Sequence, residues 1–189
     1  QARSDIRSVL HAHPSPLVSF SIVRKAPDIR IIPQAEDICG AVGYAPYALP
    51  GSPKLGENIA ATFREGYDTV LLENHGVACG GKTVLEAFQR FETLDFCARL
   101  IIKARVLGDY KVLSEQDLDM FDMNKHFLPE FVPEMRTNQE RELRATMCAL
   151  MRRAYEQRLM PSTQGTLSAR LGRKTFLITP YGIDRYNIE

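Results

Sequence analysis

The chain has 189 residues, 44% of them hydrophobic and 25% charged, with a formal net charge of +1 at pH 7. That length supports one domain with a real core or two small ones, and the mixed charge excludes a basic nucleic-acid surface and an acidic tail. No apolar run approaches a membrane span. The opening QARSDIRSVL lacks a signal-peptide layout, and four widely spaced cysteines without a CxxC pair read as reduced thiols in a cytoplasm.

In chain order, IRSVLHAH reads as a short strand bounded by Ser-Asp and Pro. FSIV is a strand or the start of a helix, and IRIIP a further strand. QAEDICGAV forms a short helix or turn, and YAPYALPGSP is a loop closed by Gly51. KLGENIAATFREG has apolar residues at helical spacing and ends at Gly66, a C-cap. DTVLLENHGVACGG starts apolar and β-branched, as a buried strand that runs out into a glycine-rich turn. The next segment, KTVLEAFQRFETLDFCARLIIKARVLG, repeats apolar residues at three and four (Leu85, Phe88, Phe91, Leu94, Phe96, Leu100, Ile101) and stops at Gly108, so it predicts a long helix. From about Tyr110 to Thr137 the pattern weakens into a linker with room for one short helix. NQERELRATMCALMRRAYEQRLM resumes as a helix with Asn138 as N-cap. TLSARL and KTFLIT are two short strands around a turn, followed by a Thr-Pro-Tyr-Gly turn.

Two of the chain's four histidines, His11 and His13, stand one residue apart in the first strand pattern. Residues two apart on a strand point the same way, so their rings can converge on one ion. His75 follows another strand pattern, in Asn74-His75-Gly76, where Gly76 lets the backbone turn sharply. Three histidines from two strand ends with an open fourth position suit a catalytic rather than a structural zinc. The alternative is a chance surface pair and an ordinary turn. His126 is read as solvated or locally bonded. Cys79 is a small core residue, a fourth thiolate ligand being the other reading. Glu36 and Glu73 lie near the histidines in sequence, but nothing assigns either a catalytic role; Glu73 faces solvent or makes a local ion pair.

Together SDIRSVLHAHPSP, PYALPGS and VLLENHGVACGGKTVLEAF resemble the zinc-dependent class II aldolase/adducin family, from about Ser4 to Gly108. The resemblance implies an α/β (α+β) fold, three-layer α/β/α with a central, mainly antiparallel sheet. It implies a Zn2+ site, or one for another divalent metal, at His11, His13 and His75. The implied activity is that of an aldolase-type lyase: retro-aldol cleavage of a small phosphorylated sugar, the metal stabilising an enediolate. Epimerase or dehydratase chemistry on the same scaffold, and a non-catalytic adducin-like scaffold, are the alternatives. A homo-oligomer is implied, a tetramer in the family, without nucleic-acid or membrane partners.

The tail resembles the same family out of order. RATMCALMRRAYEQRLMPSTQGTLSARL and FLITPYGIDRY look like the opening helix and first hairpin of such a domain. By that resemblance Gly165, Thr166, Ser168, Thr179 and Gly182 contact the substrate phosphate through backbone N–H groups and hydroxyls; plain hairpin turns are the other reading. Thr166 stands where the family usually has Asn, and Tyr181 where it often has Ser. The expected organisation is the C-terminal half of one domain over 1–109, a linker over 110–137 and the N-terminal half of another over 138–189. A piece of a longer tandem protein is expected over a circular permutation, with the family's proton-transfer acid outside this sequence.

Overall fold

The computed structural model describes residues 3–123 and 135–189, so His126 and the middle of the expected linker lie outside the described residues. The chain divides into two compact units, Gln1–Asn124 and Lys125–Glu189.

The first unit opens with strand β1 (Ser8–Ala12), helix α1 (Ser15–Ile22), a 3-10 turn (Ile29–Ile31), α2 (Pro33–Cys39) and strand β2 (Val42–Ala45). There follow α3 (Pro53–Arg64), strands β3 (Thr69–Leu72) and β4 (Gly76–Gly81), α4 (Val84–Leu107) and α5 (Glu115–Met123). The four strands form one sheet in the order β1-β4-β3-β2. β4 is antiparallel to both neighbours, while β2 runs parallel to β3.

Helices cover both faces of this sheet. Leu71 of β3 and Val77 and Cys79 of β4 pack with Leu17 of α1, Ala35 and Cys39 of α2, and Leu94, Cys97 and Ala98 of α4. The alternate residues, Val70 and Leu72 of β3 and Ala78 of β4, pack with Ala45 and with Phe63 of α3. This period-two division of one strand between two apolar layers gives the expected three-layer α/β/α arrangement around a mainly antiparallel sheet.

Local chemistry sets the boundaries. Ser52 caps α3, its Oγ accepting from Leu55 N at 3.2 Å, and Gly66 follows that helix at φ 103°. Thr83 caps α4, accepting from Glu86 N at 3.1 Å, while the Glu86 carboxylate accepts from Lys82 N at 2.7 Å.

Three readings are corrected. IRIIP is not a strand: Asp28 caps it as a 3-10 turn, its Oδ1 accepting from Arg30 N at 3.1 Å, and Pro33 then opens α2. FSIV lies at the end of α1. DTVLLENHGVACGG is two strands rather than one strand and a turn, because Asn74 takes a left-handed φ of 51° and reverses the chain. The glycines after it form β4, where the adjacent structure leaves no room for a Cβ: one on Gly81 would lie 2.6 Å from Ala87 N.

Within the expected linker, residues 115–123 form α5, and the Leu113 N–H donates to the Arg30 carbonyl at 2.8 Å. The second unit holds α6 (Asn138–Glu156) and the antiparallel pair β5 (Ser168–Arg170) and β6 (Phe176–Ile178). Its N-cap is Thr137, one residue before the expected Asn138; the Thr137 Oγ1 accepts from Glu140 N at 3.1 Å.

Candidate metal centre

Antiparallel pairing brings the C-terminal end of β1 to the N-terminal start of β4. His11 lies opposite Ala78 and Ala12 opposite Val77. One further step in this register places His13, just beyond β1, across from Gly76, and His75 stands immediately before β4. The three rings therefore meet. His11 and His13 have ring centroids 4.6 Å apart, and each lies 4.9 Å from His75. One ligand nitrogen from each of the three falls within 4.8 Å of the others.

Two features suit these residues to a cation. His11 Nδ1 lies 2.9 Å from the Val77 carbonyl oxygen. Donation there assigns the proton to Nδ1 and leaves the Nε2 lone pair for an ion, the outer-shell arrangement common to metal-bound histidines. The buried His75 Nδ1 has no hydrogen-bond partner among the described residues. Burial lowers the His75 pKa below the ordinary imidazole value, and His11 and His13 push it the same way. A neutral imidazole is the form that binds metal. Three imidazole nitrogens are a donor set suited to zinc and its divalent neighbours.

Gly76 serves the site by its size. A Cβ there would lie 2.5 Å from the Ala12 carbonyl oxygen and 2.8 Å from His13 Cδ2. The turn itself belongs to Asn74, which corrects the role read from the sequence.

Cys79 takes no part. It is fully buried in the core, and burial pushes its thiol up to about 12. Among the described residues no carboxylate joins the three histidines. Glu36 is exposed on α2. Glu73 is held on both sides: Oε1 lies 2.7 Å from Arg24 Nε, and Oε2 accepts from Tyr47 N at 3.0 Å. It thereby ties the loop after β2 to the β3–β4 turn, a link that sequence spacing gave no sign of.

Gly165, Thr166, Ser168, Thr179 and Gly182 belong to the second unit. Gly165 (φ 87°) precedes β5, and Gly182 (φ 71°) follows β6. Thr179 N–H donates to the Leu167 carbonyl at 3.0 Å, and Leu167 N–H donates to Thr179 Oγ1 at 3.2 Å. Thr166, Ser168 and both glycines are exposed, whereas Thr179 is buried. The Thr179 hydroxyl thus already accepts one bond within the hairpin.

The family model described as Class II Aldolase and Adducin N-terminal domain matches residues 1–102 and 145–189. An L-fuculose phosphate aldolase of Methanocaldococcus jannaschii is 31% identical over 100 residues, 53% of each chain. A 5-deoxy-D-ribulose 1-phosphate aldolase of Bacillus thuringiensis is 28% identical over 131 residues, covering 62% of this chain and 54% of its own. The chain spans about half the length of these curated relatives. Among solved structures, an L-fuculose 1-phosphate aldolase aligns with a TM-score of 0.54 at 30% identity, over 64% of this chain and 56% of its own. No helix among the described residues is long and apolar enough to cross a membrane.

Proposed function

The chain belongs to the class II aldolase and adducin family, and on that premise we propose that it carries the metal-binding part of a zinc-dependent aldolase acting on a small sugar phosphate. The observation that carries the reading is the convergence of His11, His13 and His75 at the junction of β1 and β4. The relatives named above act, by name, on fuculose phosphate and deoxyribulose phosphate, which supports a phosphorylated ketose as the substrate class.

In this reading His11, His13 and His75 would hold the ion. Bound there, a divalent metal supplies Lewis-acid stabilisation of the negative charge that develops when a C–C bond next to a carbonyl breaks. His11 keeps its ring oriented through the Val77 carbonyl, and Gly76 leaves space for His13. Within the second unit, the turns that carry Gly165, Thr166, Ser168, Thr179 and Gly182 are assigned to a phosphate of such a sugar.

The proposal extends to the organisation of the chain: residues 1–109 as the later half of one family domain and 138–189 as the earlier half of another, joined by 110–137. Its support is that the family match falls in two stretches and omits 103–144. A homo-oligomer completes the reading, to be measured by sedimentation velocity.

The test is metal analysis followed by activity. The purified chain is expected to bind about one zinc, and a panel of ketose phosphates is expected to release dihydroxyacetone phosphate with this chain or with a longer one containing it. Zinc binding without release of product from any of the panel would favour a non-catalytic scaffold. Failure to bind zinc would remove the metal reading.

A further inference from the structure

The second unit contains a buried cation that the assigned phosphate contacts do not use. Arg185 is only 3% exposed. Its backbone N–H donates to the Ser162 carbonyl at 2.9 Å, its Nε to the Gln164 carbonyl at 3.3 Å and its Nη1 to the Pro180 carbonyl at 2.8 Å. One residue thus bridges the turn before β5, where Ser162 (φ 48°) and Gly165 (φ 87°) both take left-handed backbone, to the turn that ends at Gly182.

The hydrogen bonds of the guanidinium go to neutral carbonyls. Among the described residues Arg185 makes no ion pair. The adjacent Asp184 is buried, but its Oδ1 accepts from Tyr186 N, Asn187 N and Asn187 Nδ2 at 2.9–3.1 Å. Burial lowers the Arg185 pKa below its ordinary value, with Asp184 opposing. A guanidinium held by carbonyls alone is costly to bury. Two more polar groups of the first turn, Ser162 Oγ and Gln164 Nε2, are buried with no hydrogen-bond partner among the described residues. A native fold rarely leaves such groups unpaired without a ligand or water to meet them. An amide N–H, a hydroxyl and a guanidinium can all donate, and together they suit an anion.

We propose that Arg185 is a positioning residue: its planar fork holds the two turns in one arrangement, so that they act as a single donor-lined cradle for a phosphate-sized anion. The proposal rests on the reading of Gly165, Thr166, Ser168, Thr179 and Gly182 as phosphate contacts. Lysine cannot replace the fork, because one ammonium on a flexible stem lacks the fixed pair of donor directions that reaches both carbonyls.

The experiment uses the full chain and inorganic phosphate. Phosphate affinity is measured by isothermal titration at a temperature well below the melting point of each variant. Backbone hydrogen exchange is followed over 161–167 and 179–182. The expected result for Arg185→Lys is at least about tenfold weaker phosphate binding, the equivalent of one charged hydrogen bond, with protection falling in both turns together while α6 stays protected. Wild-type phosphate affinity in this variant, with or without a lower melting point, overturns the proposal. So does loss of protection in one turn only. If Arg185→Lys loses its cooperative melt, Arg185→Gln serves under the same criteria, since its amide reaches one carbonyl and carries no charge. The phosphate reading has its own control: a wild-type chain that does not bind phosphate, and a Thr166→Ala variant that does not differ from it, remove that reading. The exchange data separately decide whether Arg185 couples the turns.

Discussion

His11 Nδ1 and the Val77 carbonyl oxygen lie 2.9 Å apart across the β1–β4 ladder. The bond ties the tautomer of one histidine to the backbone of the strand that His75 precedes. Pairing of the two strands and presentation of the candidate ligand nitrogens are therefore one event. Replacing His11 or His75 by alanine should cut bound zinc from about one per chain to below about 0.1, read by elemental mass spectrometry. His11 is exposed, so the far-UV circular dichroism of His11→Ala should match that of the parent.

Gly76→Ala tests the close approach. The added methyl meets the Ala12 carbonyl oxygen and the His13 ring, and the backbone oxygen cannot swing aside as a side chain would. The strands must separate, at a cost of about 1–3 kcal/mol in stability, and His13 moves with them. Zinc affinity should fall by at least about tenfold, measured by competition with a chromophoric chelator, and denaturant melts should report the stability loss.

Arg90 joins four parts of the first unit. Its Nη2 pairs with Asp68 at 2.8 Å and with Glu86 at 2.9 Å, its Nε donates to the Ile38 carbonyl at 3.1 Å, and its Nη1 donates to the Gly80 carbonyl. The side chain is 14% exposed, so Arg90→Ala strands polar groups of β4, α2 and α4 in a largely dry site. A loss of about 3 kcal/mol is expected, seen as a lower urea midpoint. Zinc stoichiometry at low denaturant should stay unchanged, because none of these contacts involves a histidine.

The cysteines should separate by reactivity. Burial pushes the thiols of Cys79 and Cys97 up to about 12, and it raises Cys39 well above its usual value. At pH 8 the thiolate fraction at Cys79 or Cys97 is on the order of 10⁻⁴, and the thiolate is the reactive form. Cys148 is half-buried on α6. A disulfide reagent should therefore modify Cys148 first in the native chain and reach all four cysteines in denaturant, with peptide mapping to assign the order.

Several features were legible from local pattern. The helical period predicted a long helix up to Gly108, and α4 occupies Val84–Leu107. The apolar period and Gly66 marked α3 in the same way. The pairing of His11 with His13 followed from strand spacing, a relation within three residues. Asn138, expected from the sequence to be the N-cap of α6, is instead its first residue. The structure chose Thr137, whose hydroxyl reaches Glu140 N.

Other features depended on chain segments far apart in sequence. The run 68–81 has one apolar start and many glycines, and only pairing on both sides of β4 shows that its glycine-rich end is a buried strand. Gly76 resembles any turn glycine until β1 is laid against it. Glu73 and Arg185 sit in no periodic pattern, and their partners, Tyr47 and Arg24 for one and the carbonyls of Gln164 and Pro180 for the other, come from different turns.

The amino-acid order determined the helices, the strand spacing that aligns two histidines and the motifs that mark the family, because each depends on residues a few positions apart. The sequence also grouped His75 with that pair; tertiary structure decided how it reaches them and which neighbours hold each group in place. Those relations depend on strand register, and register is set by the apolar layers on both faces of the sheet rather than by any one segment.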